Sequence, residues 1–158
     1  MIPNRVNVDI VRERIGAYAD DKATAESRSE IYKELIGFVP PRIEARINVT
    51  GALDPELLEM QEKMRAHAMY PKCFDVKTSQ LMLFGMLLMD LNSAAPLHGI
   101  AARRAGATWE EMQAVVSLCF LFRGLSAANQ GAELLANIAK REAEEEAARA
   151  AAGEGQAK

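Results

Sequence analysis

The stretch VKTSQLMLFGMLLMDL, residues 76–91, constrains this chain more than any other. Leu81, Met82, Leu83, Phe84, Met86, Leu87, Leu88 and Met89 follow one another almost without interruption, and Asp75 just ahead of them is a favoured helix N-cap residue. A helix that is apolar on all sides has to be a buried central helix or one shared with another subunit. Its most apolar part, Leu81 to Met89, is far too short to span a bilayer, so no membrane partner is expected. No stretch of the chain alternates apolar and polar residues as a half-buried strand would. Nearly everything reads at helical spacing, and the expected class is all-α.

The helix boundaries follow from local chemistry. Residues 9–19 and 25–37 read as two helices broken near Asp20-Asp21. Pro40-Pro41 restarts the chain, with a helix from about Pro41 to Val49 that Gly51 ends. Asp54 as N-cap and Pro55 at the first position open a helix to about Met69, which Tyr70-Pro71 terminates. Pro96 opens a short helix, Leu97 to Arg104, closed by Gly106. Thr108 and Glu111 form a capping-box pattern ahead of a helix from Trp109 to about Phe122, broken at Arg123-Gly124. Ser126 is expected to cap a last helix. From Lys140 its apolar residues are mostly alanine, so fraying and then a disordered tail from about Gly153 are expected.

With 158 residues, 49% of them hydrophobic, the chain has the material for one domain with a real core. A net charge of −3 leaves no basic face for DNA or RNA, so nucleic acid is not an expected partner. The N-terminal MIPNRVNVDIVRER has no apolar signal segment. Cys73 and Cys119 form neither a CxxC pair nor a zinc spacing. A cytoplasmic setting with free thiols is the expectation.

Phosphate-binding loops, HExxH and GxSxG are all absent, and two histidines, His67 and His98, make a weak case for a metal. His98 is the best candidate for chemistry. It lies at the start of a short helix, after a loop of small residues. The positive end of a helix favours the neutral imidazole, which can act as a general base or hydrogen-bond donor. Ser93, Ala94, Ala95 and Gly99 would leave room for a ligand. On these residues alone, a histidine that caps or packs locally is the plainer account.

The segment KTSQLMLFGMLLMDLNSAAPLHGIAARRAGATWEEMQAVVSLCFLFRGLSAANQGAE resembles the carboxymuconolactone decarboxylase family, which includes the alkyl hydroperoxidase D group. Asp75-x-Lys77-Thr78 opens the long apolar helix, and His98 precedes a short Ala-rich one. The turn Gly106-Ala107-Thr108-x-Glu110-Glu111 and the apolar helix ending at Arg123-Gly124 also match, and Ala127-Ala128-Asn129 opens the next helix. The likeness covers about residues 54–138. It implies a compact helical bundle of the alkyl hydroperoxidase D-like type, assembled as a trimer or hexamer. The implied organisation is an N-terminal helical arm over 1–52 packing on the core or a neighbouring subunit, a family domain over 53–140, and a fraying tail over 141–158.

The peroxidase branch of that family uses two cysteines and a glutamate. Those positions fall at Leu91, Ala94 and at or next to Gln80, so the thiol redox cycle has lost its nucleophile, its resolving group and its base. The resemblance therefore implies the branch without CxxC, whose chemistry is decarboxylation or isomerisation of a small carboxylated lactone or aromatic ring-cleavage product. No metal and no organic cofactor is implied. His98 would be the acid/base. Gln80 and Asn129 would orient the carbonyl, Arg123 or Arg103 would pair with a substrate carboxylate, and Tyr70 and Ser93 would line the pocket. Each has a plainer account: a bundle hydrogen bond for Gln80, a local cap for Asn129, a helix C-terminal cation for Arg123, a solvated face for Arg103. Two alternatives stand beside the lyase: a non-catalytic oligomeric or binding relative, and residual peroxidase activity through Cys73 beside Lys72.

Overall fold

A computed structural model describes residues 5–155, with side chains as far as residue 152, and every regular element in that span is helical. The order is α1 (Val8–Arg14), α2 (Ala25–Ile36), α3 (Pro41–Leu53), α4 (Pro55–Met69), α5 (Val76–Met89), α6 (Ala95–Arg104), α7 (Trp109–Arg123) and α8 (Leu125–Gly155). Two units form, Met1–Phe74 and Asp75–Lys158. The sequence reading puts the boundary at 52/53. The contacts put α4 with α1–α3, because α4 supplies partners that the charged interior of the first unit requires.

In that interior Tyr32, Ile47 and Leu58 are buried together with two charged side chains, Arg28 and Glu62. Buried charge is tolerated only with partners. The Tyr32 hydroxyl donates to Glu62 Oε1 at 2.9 Å, Arg46 pairs with Glu62 and donates to the Tyr32 hydroxyl at 2.8 Å, and the Arg65 guanidinium lies 4.1 Å over the Tyr32 ring. Arg28 bridges Asp20 and Glu59, its Nη2 at 2.6 Å from Glu59 Oε2. Arg46 is thus committed inside its own unit.

Two helix ends differ from expectation. The helix expected over 9–19 stops at Arg14, because Gly16 takes φ +144° and Tyr18 leaves the helical path to donate to the Ala23 carbonyl at 2.8 Å. Gly51, expected to end α3, lies buried inside it: the Tyr18 ring occupies the space a Cβ would need. The Asp54 cap is as expected, accepting from Leu57 N–H at 3.0 Å.

In the second unit α5 packs on α6, α7 and α8. Its core holds Phe84, Leu88, Met112, Val116 and Ile138 with the alanines 95, 102, 107 and 127. The alanines and Gly99 let helices approach closely: a Cβ on Gly99 would meet Ile138 Cδ1 at 2.8 Å and Met112 Cε at 3.4 Å. Although α5 is apolar all round, it buries Gln80, Phe84 and Leu88 and leaves Met82 and Met86 exposed. The capping box forms, with Thr108 Oγ1 accepting from Glu111 N–H at 3.1 Å and Glu111 Oε2 from Thr108 N–H at 2.8 Å.

α8 runs on to Gly155 instead of fraying from Lys140. Arg103 of α6 holds it from the side, donating to both Glu142 oxygens at 2.9 and 3.0 Å, and Arg141 pairs with Glu145 one turn on at 2.7 Å. The disordered tail expected from Gly153 is helical as far as Gly155; its remainder lies outside the described residues. Ser126 sits in the first turn of α8 and does not precede it, because Gly124 makes the break at φ +73°. Among the described residues, no helix is long and apolar enough to cross a membrane.

Candidate functional site

His98 and Gln80 meet. Gln80 is in the second turn of α5, on the stripe that also carries Phe84 and Leu88, and is fully buried. His98 is the fourth residue of α6 and only partly covered. Its Nδ1 lies 2.8 Å from Gln80 Oε1. With Gln80 Oε1 as the acceptor, the neutral ring carries its proton on Nδ1 and its lone pair on Nε2. When the ring is protonated the same bond survives, because Nδ1 donates in both states. Gln80 thus holds the imidazole in one orientation through a proton cycle without adding charge.

The other end of the amide is left over. Gln80 Nε2 is buried and has no hydrogen-bond partner among the described residues, and the same holds for the neighbouring Ser79 Oγ. A buried donor without a partner costs about 1–3 kcal/mol. Two of the four small residues beside His98, Gly99 and Ala95, leave no room for a ligand. Gly99 is filled by Ile138, Met112 and Phe84, and Ala95 is fully buried.

Ser93 is exposed in the turn before α6, Arg123 is exposed at the end of α7, and Asn129 is exposed on α8. Tyr70 belongs to the first unit, where it follows the last residue of α4. Arg103, offered as a carboxylate binder or a solvated residue, is neither exposed nor unoccupied. It holds Glu142, donates to the Ala107 carbonyl and stacks 3.9 Å over the Trp109 ring. Cys73 is an exposed free thiol; Cys119 is buried, its Sγ 3.5 Å from the Gly85 carbonyl, and burial pushes its thiol up. No group of three or more His, Cys, Asp or Glu side chains among the described residues is arranged to hold a metal.

One feature escaped the sequence reading. A groove of about 650 Å³ runs between α5 and α7, lined by Leu81, Met82, Met89, Val115, Leu118 and Phe122. Lys77 and Glu111 also line it, paired at 2.7 Å. Hydrogen bonding between them holds the Lys77 ammonium above its ordinary range and the Glu111 carboxyl below it, so both stay charged. The groove excludes Gln80 and His98 from its lining. The signal for it is present in the sequence as a spacing: Thr78, Met82, Gly85 and Met89 on α5 face Glu111, Val115, Leu118 and Phe122 on α7.

These observations define an all-helical protein with a histidine–glutamine pair at the contact of two helices. No protein-family model, curated protein or solved structure matches the chain.

Proposed function

We propose that the chain is a cofactor-independent lyase or isomerase of the carboxymuconolactone decarboxylase type, in the branch without CxxC, with His98 as its acid/base. The substrate would be a small carboxylated lactone or aromatic ring-cleavage product, and the second unit the alkyl hydroperoxidase D-like bundle. The reading includes a homo-oligomer, trimeric or hexameric, in the cytoplasm.

The observation that supports it is the 2.8 Å contact of His98 Nδ1 with a fully buried Gln80 whose Nε2 has no partner. In the reaction, the electron pair of the carbon–carboxylate bond passes into the conjugated carbonyl as CO2 leaves, and the enolate takes a proton at carbon. With Nδ1 engaged by Gln80, Nε2 is the atom that carries that proton. Gln80 is therefore a positioning residue here, not the carbonyl-orienting one the resemblance implies.

The test is decarboxylation of a panel of small carboxylated lactones, followed by CO2 release. Turnover should fall about 10²–10⁴-fold in His98→Ala, the range for loss of a general acid/base. Gln80→Leu should lower turnover while leaving substrate saturation little changed. Absence of turnover with every lactone, or full activity in a folded His98→Ala, would overturn the proposal.

A further inference from the structure

We propose that the exposed sides of α5 and α7 are the surface through which copies of this chain associate, with α7 of one copy seated in the α5/α7 groove of another. Both walls of the groove repeat at intervals of four and three residues, the register at which a third helix is received between two. α7, which forms one wall, also carries an apolar ridge: Leu118 is 61% exposed, Leu121 68% and Phe122 82%. Groove and ridge on one element make the surface self-complementary, as a two-fold contact between identical subunits requires, which a hexamer contains and a trimer does not.

The area agrees. Met82 and Met86 on α5 are 43% and 61% exposed. With a large apolar side chain offering on the order of 200 Å², these two and the three α7 residues leave roughly 600 Å² of apolar surface in water. That is the upper end of what a monomer usually tolerates and approaches the ~800 Å² per partner of a standard interface. Leu125, 70% exposed just past the Gly124 break, adjoins them in the chain. A small charged ligand is a poorer fit, because Lys77 and Glu111 are already paired with each other.

The inference gives a location to the assembly proposed above and rests on that part of the reading alone. Gln80 is about half a turn around α5 from Thr78 and Met82, so assembly and chemistry can fail separately.

The test is sedimentation velocity of the full chain over the micromolar range. The wild type should sediment as a multiple of 17.3 kDa. The Leu118→Glu/Phe122→Glu double variant should run as the 17.3 kDa monomer with unchanged far-UV circular dichroism, and Met64→Glu, at an exposed apolar residue of α4, should keep the multimer. If the double variant misfolds, a benzoyl-phenylalanine photoprobe replacing Phe122 decides instead: cross-links to α5 or α7 of a second copy uphold the inference, and cross-links elsewhere overturn it. A monomeric wild type, or a double variant that still assembles, overturns it. So does a monomer that binds laurate in calorimetry and loses that binding in the double variant, which would make the groove a small-amphiphile site.

Discussion

Arg103→Ala should destabilise the second unit by about 3 kcal/mol. Three interactions end at this one guanidinium. Its fork on Glu142 is only partly shielded, with side-chain exposures of 20% and 33%, so solvent screening limits that pair to about 1 kcal/mol. Stacking at 3.9 Å on the Trp109 ring contributes about 1 kcal/mol. The carbonyl of buried Ala107 loses its donor, at a cost of about 1 kcal/mol. For a chain of this length that total corresponds to a loss of roughly 6–12 °C in Tm. Trp109 is the only tryptophan, so its fluorescence during urea unfolding reports on this unit directly. Arg103→Lys should recover less than half of the loss, because lysine keeps the charge but not the planar fork or the stack. A double-mutant cycle with Glu142→Gln should give a coupling of about 1 kcal/mol. Single losses that simply add, or an Arg103→Ala loss below about 0.5 kcal/mol, would refute the reasoning.

Gly99→Ala should cost about 1–3 kcal/mol in overpacking against Ile138 and Met112, more than the ~1 kcal/mol of helix propensity it gains; a higher urea midpoint would show that the contact yields freely. In the first unit, burial and the Glu62 carboxylate, against the nearby arginines, push the Tyr32 hydroxyl up to about 12. Absorbance titration should therefore show Tyr32 ionising late, with Tyr18 also raised, chiefly by burial. A folded-state value above the unfolded one means stability that is fully present below about pH 10 and lost as pH rises toward 12. Three tyrosines titrating together in the folded protein would contradict this.

Much of the second unit is legible in the sequence, because its signals are local. Asp75, Thr108 with Glu111, and Gly106 act within one helical turn, and each takes the role that its residue type favours. The signals that misled concern glycine and charge. Gly51 reads as a stop and is a packing position, because what a missing Cβ accommodates is set by Tyr18, distant in sequence. Arg103 reads as solvated, and Lys140 onward as fraying, because neither residue shows that the other end of a 39-residue separation will meet it at Glu142.

The candidate site divides in the same way. His98 is recognisable from its place at the start of a short helix, and Gln80 only as the position where the resembling family carries a glutamate. Composition and periodicity thus determine an all-helical protein and nominate His98, while Gln80 is nominated only by the resemblance. Only tertiary packing brings Nδ1 of one to Oε1 of the other, leaves Nε2 of the amide buried without a partner, and exposes Ser93, Arg123 and Asn129. The reason is physical. Helix formation is decided by neighbours within about four residues, whereas a hydrogen bond across 18 residues depends on how two helices seat against each other, and that is fixed by the packing of residues such as Phe84, Ala95, Gly99 and Met112.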